Sequence, residues 1–147
     1  MDLTDLYQEI IIDHNRSPRN FRALAAATHQ AEGFNPLCGD RLTLFLKIDD
    51  GVITDASFQG NGCAISVASA SLMTESLKGR SAAEAKELFD GFHELVTSDA
   101  PASAPAALGK LAALGGVRSY PSRIKCATLC WHTLQSALAG AKQASTE

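Results

Sequence analysis

The chain lacks a basic n-region ahead of an apolar stretch. It opens Met1-Asp2-Leu3-Thr4-Asp5, which argues against a secretory leader. Its uncharged apolar runs fall far short of the ~20 residues that a membrane-crossing helix needs, so no membrane partner is expected. An excess of cations is missing too. Thirteen Lys and Arg stand against sixteen Asp and Glu, giving a net charge of −3 and a pI near 5.8. That balance excludes a nucleic-acid binder built on phosphate neutralisation. No Cys-x-x-Cys pair, no His-Glu-x-x-His helix, no deaminase His-x-Glu signature and no Walker or dinucleotide glycine loop occurs. A hydrolytic zinc enzyme of those types and a nucleotide enzyme are therefore disfavoured. Without a leader the expected location is the cytoplasm, a reducing compartment where cysteines bind metal or do chemistry more often than they pair. At 147 residues the chain is expected to form one domain over 1–147, burying roughly two-thirds of its unfolded surface without disulfides. Much of its 46% hydrophobic share is alanine, which leaves Leu, Ile, Val and Phe to build the core.

What is present reads as an α+β fold, a small three-stranded antiparallel sheet with helices packed on one side. Leu3, Leu6, Tyr7, Ile10 and Ile11 recur at helical spacing and predict a first helix that ends before Pro18. Arg16, Arg19 and Arg22 follow as a solvated basic edge or as a docking surface for an acidic partner. Leu42, Leu44, Leu46 and Ile48 alternate with Thr43, Phe45 and Lys47, the pattern of a half-buried strand. Asp49-Asp50-Gly51 supplies a hairpin turn, and Val52, Ala56 and Phe58 are expected on one face of the returning strand. An earlier strand is expected near Thr28 to Glu32. Ala64 to Lys78 reads as a helix stopped by Gly79, and Ser81 with Glu84 as a capping box for the next. Residues 97 to 107 read as a surface loop. Leu108, Leu111 and Leu114 suggest a short helix closed by Gly115-Gly116. A last helix from about Ser122 to Ala141 carries Ala127, Cys130, Leu134 and Leu138 on one stripe.

The four cysteines divide by context. Cys38 lies in Asn35-Pro36-Leu37-Cys38-Gly39-Asp40, where Gly39 lets the thiol and the Asp40 carboxylate converge. Cys63 follows Gly60-Asn61-Gly62 and opens a helix, where the dipole and free N–H groups favour thiolate. Cys126 is expected in the first turn of the last helix, with Arg123 and Lys125 beside it. Three thiolates and one carboxylate fit a tetrahedral zinc or iron site, and the carboxylate makes that site more exchangeable than an all-sulfur one. The alternative is that these are ordinary buried cysteines. Cys130, one helical turn beyond Cys126, reads as core packing, with a sulfur relay or a disulfide to Cys126 as the other option. His14, His29, His93 and His132 form no cluster and are not expected as ligands.

Cys38-Gly39-Asp40, Gly60-Asn61-Gly62-Cys63, Ile65-Ser66, Ala68-Ser69-Ala70-Ser71 and Lys125-Cys126 together resemble the iron–sulfur cluster assembly proteins of the IscU/NifU N-terminal family. Leu6-Tyr7, Asp13-His14 and Pro18-Arg19-Asn20 are similar to that family as well. The resemblance covers nearly the whole chain. It implies an IscU-like fold with Cys38, Asp40, Cys63 and Cys126 as ligands. Lysine stands at position 125, where the scaffold branch has histidine, and the chaperone-recognition segment is missing. Sixty-two residues separate Cys63 from Cys126, longer than in that branch. Both departures resemble the SufU type of bacterial SUF systems. That likeness implies zinc and a sulfurtransferase that accepts persulfide sulfur from a SufS-type cysteine desulfurase, with SUF scaffold proteins downstream. It further implies Cys38 as acceptor, freed from the metal on docking, Asp40 as a retained ligand and Arg123 as a docking residue. A scaffold for a transient [2Fe–2S] cluster on the same ligands, or a non-catalytic zinc adaptor, are the competing readings.

Overall fold

The computed structural model describes residues 3–36, 39–97, 106–140 and 143–145. Helix α1 spans Leu3–Arg16 and is followed by three antiparallel strands, β1 (His29–Asn35), β2 (Asp40–Asp49) and β3 (Val52–Asn61). Helices α2 (Ala64–Leu77) and α3 (Ala82–Thr97), a 3₁₀ segment (Ala106–Ser119) and α4 (Pro121–Leu138) come next. A three-residue strand, β4 (Gln143–Ser145), pairs parallel to β1, giving the sheet order β3-β2-β1-β4. The α+β architecture and the three antiparallel strands agree with the sequence; β4 is an addition. The three antiparallel strands are flanked on both sides. β4 lies on β1. On the other side Asn20 O and Arg22 N bond the Phe58 backbone, each at 3.0 Å.

The hairpin turn forms as its chemistry dictates. Asp50 (φ 51°) and Gly51 (φ 78°) both take positive φ, as the tight primed turn requires. The alternation of β2 is clean: Leu42, Leu44 and Leu46 are buried and their neighbours are not. One expectation fails on β3. Val52 is exposed, and Ile53, Ala56 and Phe58 face the core, because a bulge opposite Lys47/Ile48 inserts one residue and changes the side-chain parity. Helices α2 and α4 cover the inner face, and the opposite face stays open through Glu32, Arg41 and Gln59.

The helix ends follow their signals. Ser81 N donates to Glu84 Oε1 (3.0 Å) and Glu84 N to Ser81 Oγ (3.1 Å), a reciprocal cap worth about 1 kcal/mol. Gly79 takes φ 87° after α2. Of the surface-loop expectation over 97–107, positions 98–105 lie outside the described residues. The short helix expected to close at Gly115-Gly116 instead runs to Ser119 as a 3₁₀ segment with a break at Gly109. α4 begins at Pro121 and ends at Leu138, shorter than expected at its C-terminus. It is also not a one-sided helix. From Cys126 to Leu134 every residue but the half-buried His132 is buried, with Trp131 stacked on Phe92 at 4.9 Å. α4 is the central rod, contacting β1, α2 and α3 together.

The serine motif explains how the helices approach each other. Ser69 Oγ donates to Ala127 O (2.6 Å), joining α2 to α4. Ser71 Oγ accepts from Arg19 N (2.8 Å) and meets His14 Nδ1 (2.7 Å), joining α2 to α1 and to the turn that follows it. Asn20, at φ 61°, donates to Thr74 and accepts from Lys78. Arg19 pairs with Asp13 and Arg22 with Asp55, so these two arginines of the basic edge are engaged within the chain.

His14 is fully buried, and that burial, followed by the nearby Arg19 charge, holds its pKa below the ordinary imidazole value. Burial and then His93 do the same to His132. Each therefore takes up a proton less readily in the folded chain than in the unfolded one, which protonates below about pH 6.5. The unfolded state thus binds more protons in that window, and stability falls as pH drops through it. Thermal melts should show Tm declining from pH 7.5 to 5.5, the underlying loss of stability being at most about 1.4 kcal/mol per pH unit for each histidine. His14→Gln should flatten the decline. The depressed carboxylates Asp13, Asp55 and Glu84 lose their contribution only at more acid pH.

Candidate metal centre

Three chain segments converge at one end of the sheet. Asp40 is the first residue of β2, in register with Asn35 at the end of β1. Cys63 is the N-cap of α2, its sulfur accepting from Ser66 N at 3.4 Å. Cys126 lies on α4. Because α4 starts at Pro121, this cysteine sits in the second helical turn, not the first as the sequence suggested. Its sulfur therefore lies a turn beyond the free N–H groups of the helix terminus. Glycine makes the approach of β3 achievable. Gly60 sits at φ 155°, and a Cβ there would run into the Arg41 carbonyl and Leu42 Cα across the ladder.

Asp40, Cys63 and Cys126 offer ligand atoms that all lie within 4.8 Å of one another. Asp40 is buried, yet its carboxylate is well supplied with donors. Cys63 N donates to Oδ1 at 2.8 Å, and Asn35 Nδ2 to Oδ2 at 3.4 Å. Cys63 Sγ lies 3.9 Å from Oδ2, and Asn35 Nδ2 lies 3.7 Å from the sulfur of buried Cys126. Cys63 itself is exposed. Cys38 lies outside the described residues. The flanking Pro36 and Gly39 are exposed, and Gly39 N closes on Asn35 O at 2.8 Å.

The donor set fits zinc. Zn–S bonds of about 2.3 Å and Zn–O bonds of about 2.0 Å put sulfur and oxygen ligands about 3.5 Å apart on a tetrahedron, close to the Cys63–Asp40 separation. Asp40 is oriented from behind, as a metal-binding carboxylate requires. A Cβ on Gly62 would stand 3.1 Å from Asp40 Oδ1, so glycine leaves the carboxylate its room. No other group of three His, Cys, Asp or Glu gathers in this way among the described residues.

Arg123 projects from the first turn of α4 and is exposed, its guanidinium 4.7 Å above the ring of Tyr120, which is itself 54% exposed. Among the described residues Arg123 has no carboxylate partner, unlike Arg19 and Arg22. Cys130 belongs to the core. Burial pushes its thiol pKa up to about 12, and Ser69 Oγ lies 3.4 Å away. A thiol in that state favours the packing reading over a sulfur relay. Sequence reasoning missed Asn35, Ser69 and Ser71 as working residues. Each has a partner far along the chain, Cys126 at 91, Ala127 at 58 and His14 at 57 positions, beyond any local pattern.

Residues 6–127 match the model of the NifU-like N-terminal domain. The chain is 38% identical to the zinc-dependent sulfurtransferase SufU of Bacillus subtilis, over 94% of this chain and 92% of that protein. It is 40% identical to the iron–sulfur cluster assembly scaffold protein IscU of Streptococcus pyogenes, over 92% of this chain and 84% of that one. Its fold is similar to the crystal structure of a candidate cluster assembly scaffold protein for the SUF system from Fervidobacterium islandicum AW-1. That likeness has a TM-score of 0.82 at 33% identity, covering 93% of this chain and 99% of that chain. No helix among the described residues is long and apolar enough to cross a membrane.

Proposed function

The chain belongs to the family of NifU-like N-terminal domains, and from that premise we propose that it serves iron–sulfur cluster assembly as a zinc-dependent sulfurtransferase. The observation that carries this reading is the convergence of Asp40, Cys63 and Cys126. A carboxylate among thiolates, with one exposed cysteine, suits a centre that opens, whereas a purely structural zinc site is closed with Cys and His. Asp40, Cys63, Cys126 and Cys38 would hold the ion. Bound zinc keeps cysteine ligands ionised at neutral pH and has no redox chemistry of its own.

Cys38 is the acceptor in this reading. Its thiolate attacks the outer sulfur of a persulfide on the cysteine of a desulfurase. The sulfur–sulfur bond to the donor breaks, a new one forms on Cys38, and the donor cysteine leaves as thiolate. One disulfide-type bond replaces another, so no external oxidant or reductant is consumed. Arg123, exposed beside Tyr120 and without a carboxylate partner among the described residues, would meet an acidic group on the SufS-type partner. SUF scaffold proteins then receive the sulfur, and the cytoplasm is the expected setting.

A second reading is favoured by the relatives called IscU: the same ligands hold a transient [2Fe–2S] cluster, since thiolates bind iron as readily. Metal analysis of the purified chain together with its visible spectrum separates the two. The sulfurtransferase reading predicts about one zinc per chain and no visible absorption. Stoichiometric iron with a brown chromophore would overturn it in favour of the scaffold. If zinc is present but the chain leaves desulfurase turnover unchanged, the adaptor reading stands instead.

A further inference from the structure

Asn35 is fully buried at the end of β1, and its side-chain nitrogen serves two of the three converging groups at once. It stands 3.4 Å from Asp40 Oδ2 and 3.7 Å from Cys126 Sγ. Its backbone oxygen also accepts from Gly39 N, one residue before Asp40. An amide nitrogen has two protons, one for each anion, and no acceptor capacity that would repel them. Two adjacent buried anions each need a donor, and the amide supplies both without adding charge.

We infer that Asn35 is a positioning residue that fixes Asp40 and Cys126 as the stationary half of the centre. Resting on the metal-centre reading above, this role deepens it. The N–H···S contact draws electron density from the Cys126 sulfur. Both Cys126 and Cys63 accept an N–H on sulfur, but Cys126 is buried and Cys63 is exposed, so an incoming electrophilic sulfur is kept from Cys126 by burial and hydrogen bond together. Asp40 is held through both oxygens, Oδ1 by Cys63 N and Oδ2 by Asn35, so it stays oriented when a neighbouring thiolate departs. Support from behind a ligand of this kind is worth about 10- to 100-fold in metal affinity.

The test uses the full chain loaded with zinc and, separately, with cobalt(II). Asn35→Leu keeps the approximate volume and removes both donors. Its zinc affinity, by competition with a chromophoric chelator, should fall about 10- to 100-fold. The cobalt–thiolate charge-transfer band should move to lower energy, because a sulfur without its hydrogen bond gives up charge more easily. A loss of packing alone would weaken binding and leave the position of the band in place. Should the leucine variant fail to fold by circular dichroism, Asn35→Ala removes the same donors with less bulk and should move the band in the same direction. Zinc affinity within about twofold of wild type with an unmoved band overturns the role of Asn35 alone. A wild-type chain that gives no cobalt–thiolate band overturns the metal centre, and this role with it.

Discussion

Cys38→Ala is expected to abolish sulfur uptake from a cysteine desulfurase, reducing protein-bound sulfane sulfur to the level found without the chain. The magnitude follows from chemistry. Transfer needs a thiolate that can attack a persulfide, and alanine offers no atom to carry the sulfur. None of the three remaining cysteines substitutes efficiently. Cys126 is buried with an amide donor on its sulfur, and Cys130 is protonated, with a pKa of about 12. Cys63 is the exposed alternative, yet its sulfur caps α2 through Ser66 N, so reaction there would cost the helix its cap. The measurement is sulfide released by dithiothreitol after incubation with desulfurase and cysteine. Uptake by the variant at the wild-type rate would rule out Cys38 as acceptor.

Asp40→Ala is expected to have the second large effect, on metal retention. Four-ligand zinc centres gain about 10–16 kcal/mol on binding, so one ligand is worth about 2.5–4 kcal/mol, or about 10²- to 10³-fold in affinity. The change also strips a partner from Cys63 N and from the buried Asn35 amide. Chelator competition should therefore show a larger loss for Asp40→Ala than for Asn35→Leu. Equal zinc affinity in Asp40→Ala and wild type would remove Asp40 from the ligand set.

The sequence carries most of this site because its signals are local. A glycine beside each of Cys38 and Cys63 marks backbone that must turn sharply, and Asp40 follows Cys38 by two residues. The hairpin was equally legible, since alternation and an Asp-Gly turn are short-range features. What escaped was decided at a distance. The bulge that turns Val52 outward depends on pairing with Lys47 and Ile48, and a single inserted residue reverses every parity argument beyond it. β4, Gln143-Ala144-Ser145, has no hydrophobic alternation and exists as a strand through its pairing with Glu32 to Phe34. The start of α4 could have been read from Pro121, a residue suited to the first helical position, which would have put Cys126 in the second turn. Asn35 had no signal of its own, for a buried amide looks like any loop asparagine until its two partners are seen.

The central claim is that this chain takes up sulfur covalently on Cys38 at a zinc centre. Peptide mapping by mass spectrometry, after a brief reaction of the zinc-loaded chain with desulfurase and cysteine, tests it most directly. Unreacted thiols are blocked and persulfides left intact. The account predicts one added sulfur atom on the peptide containing Cys38, with Cys63, Cys126 and Cys130 unmodified by sulfur. Desulfurase turnover with no added sulfur on Cys38, or with the sulfur on another cysteine, would contradict it.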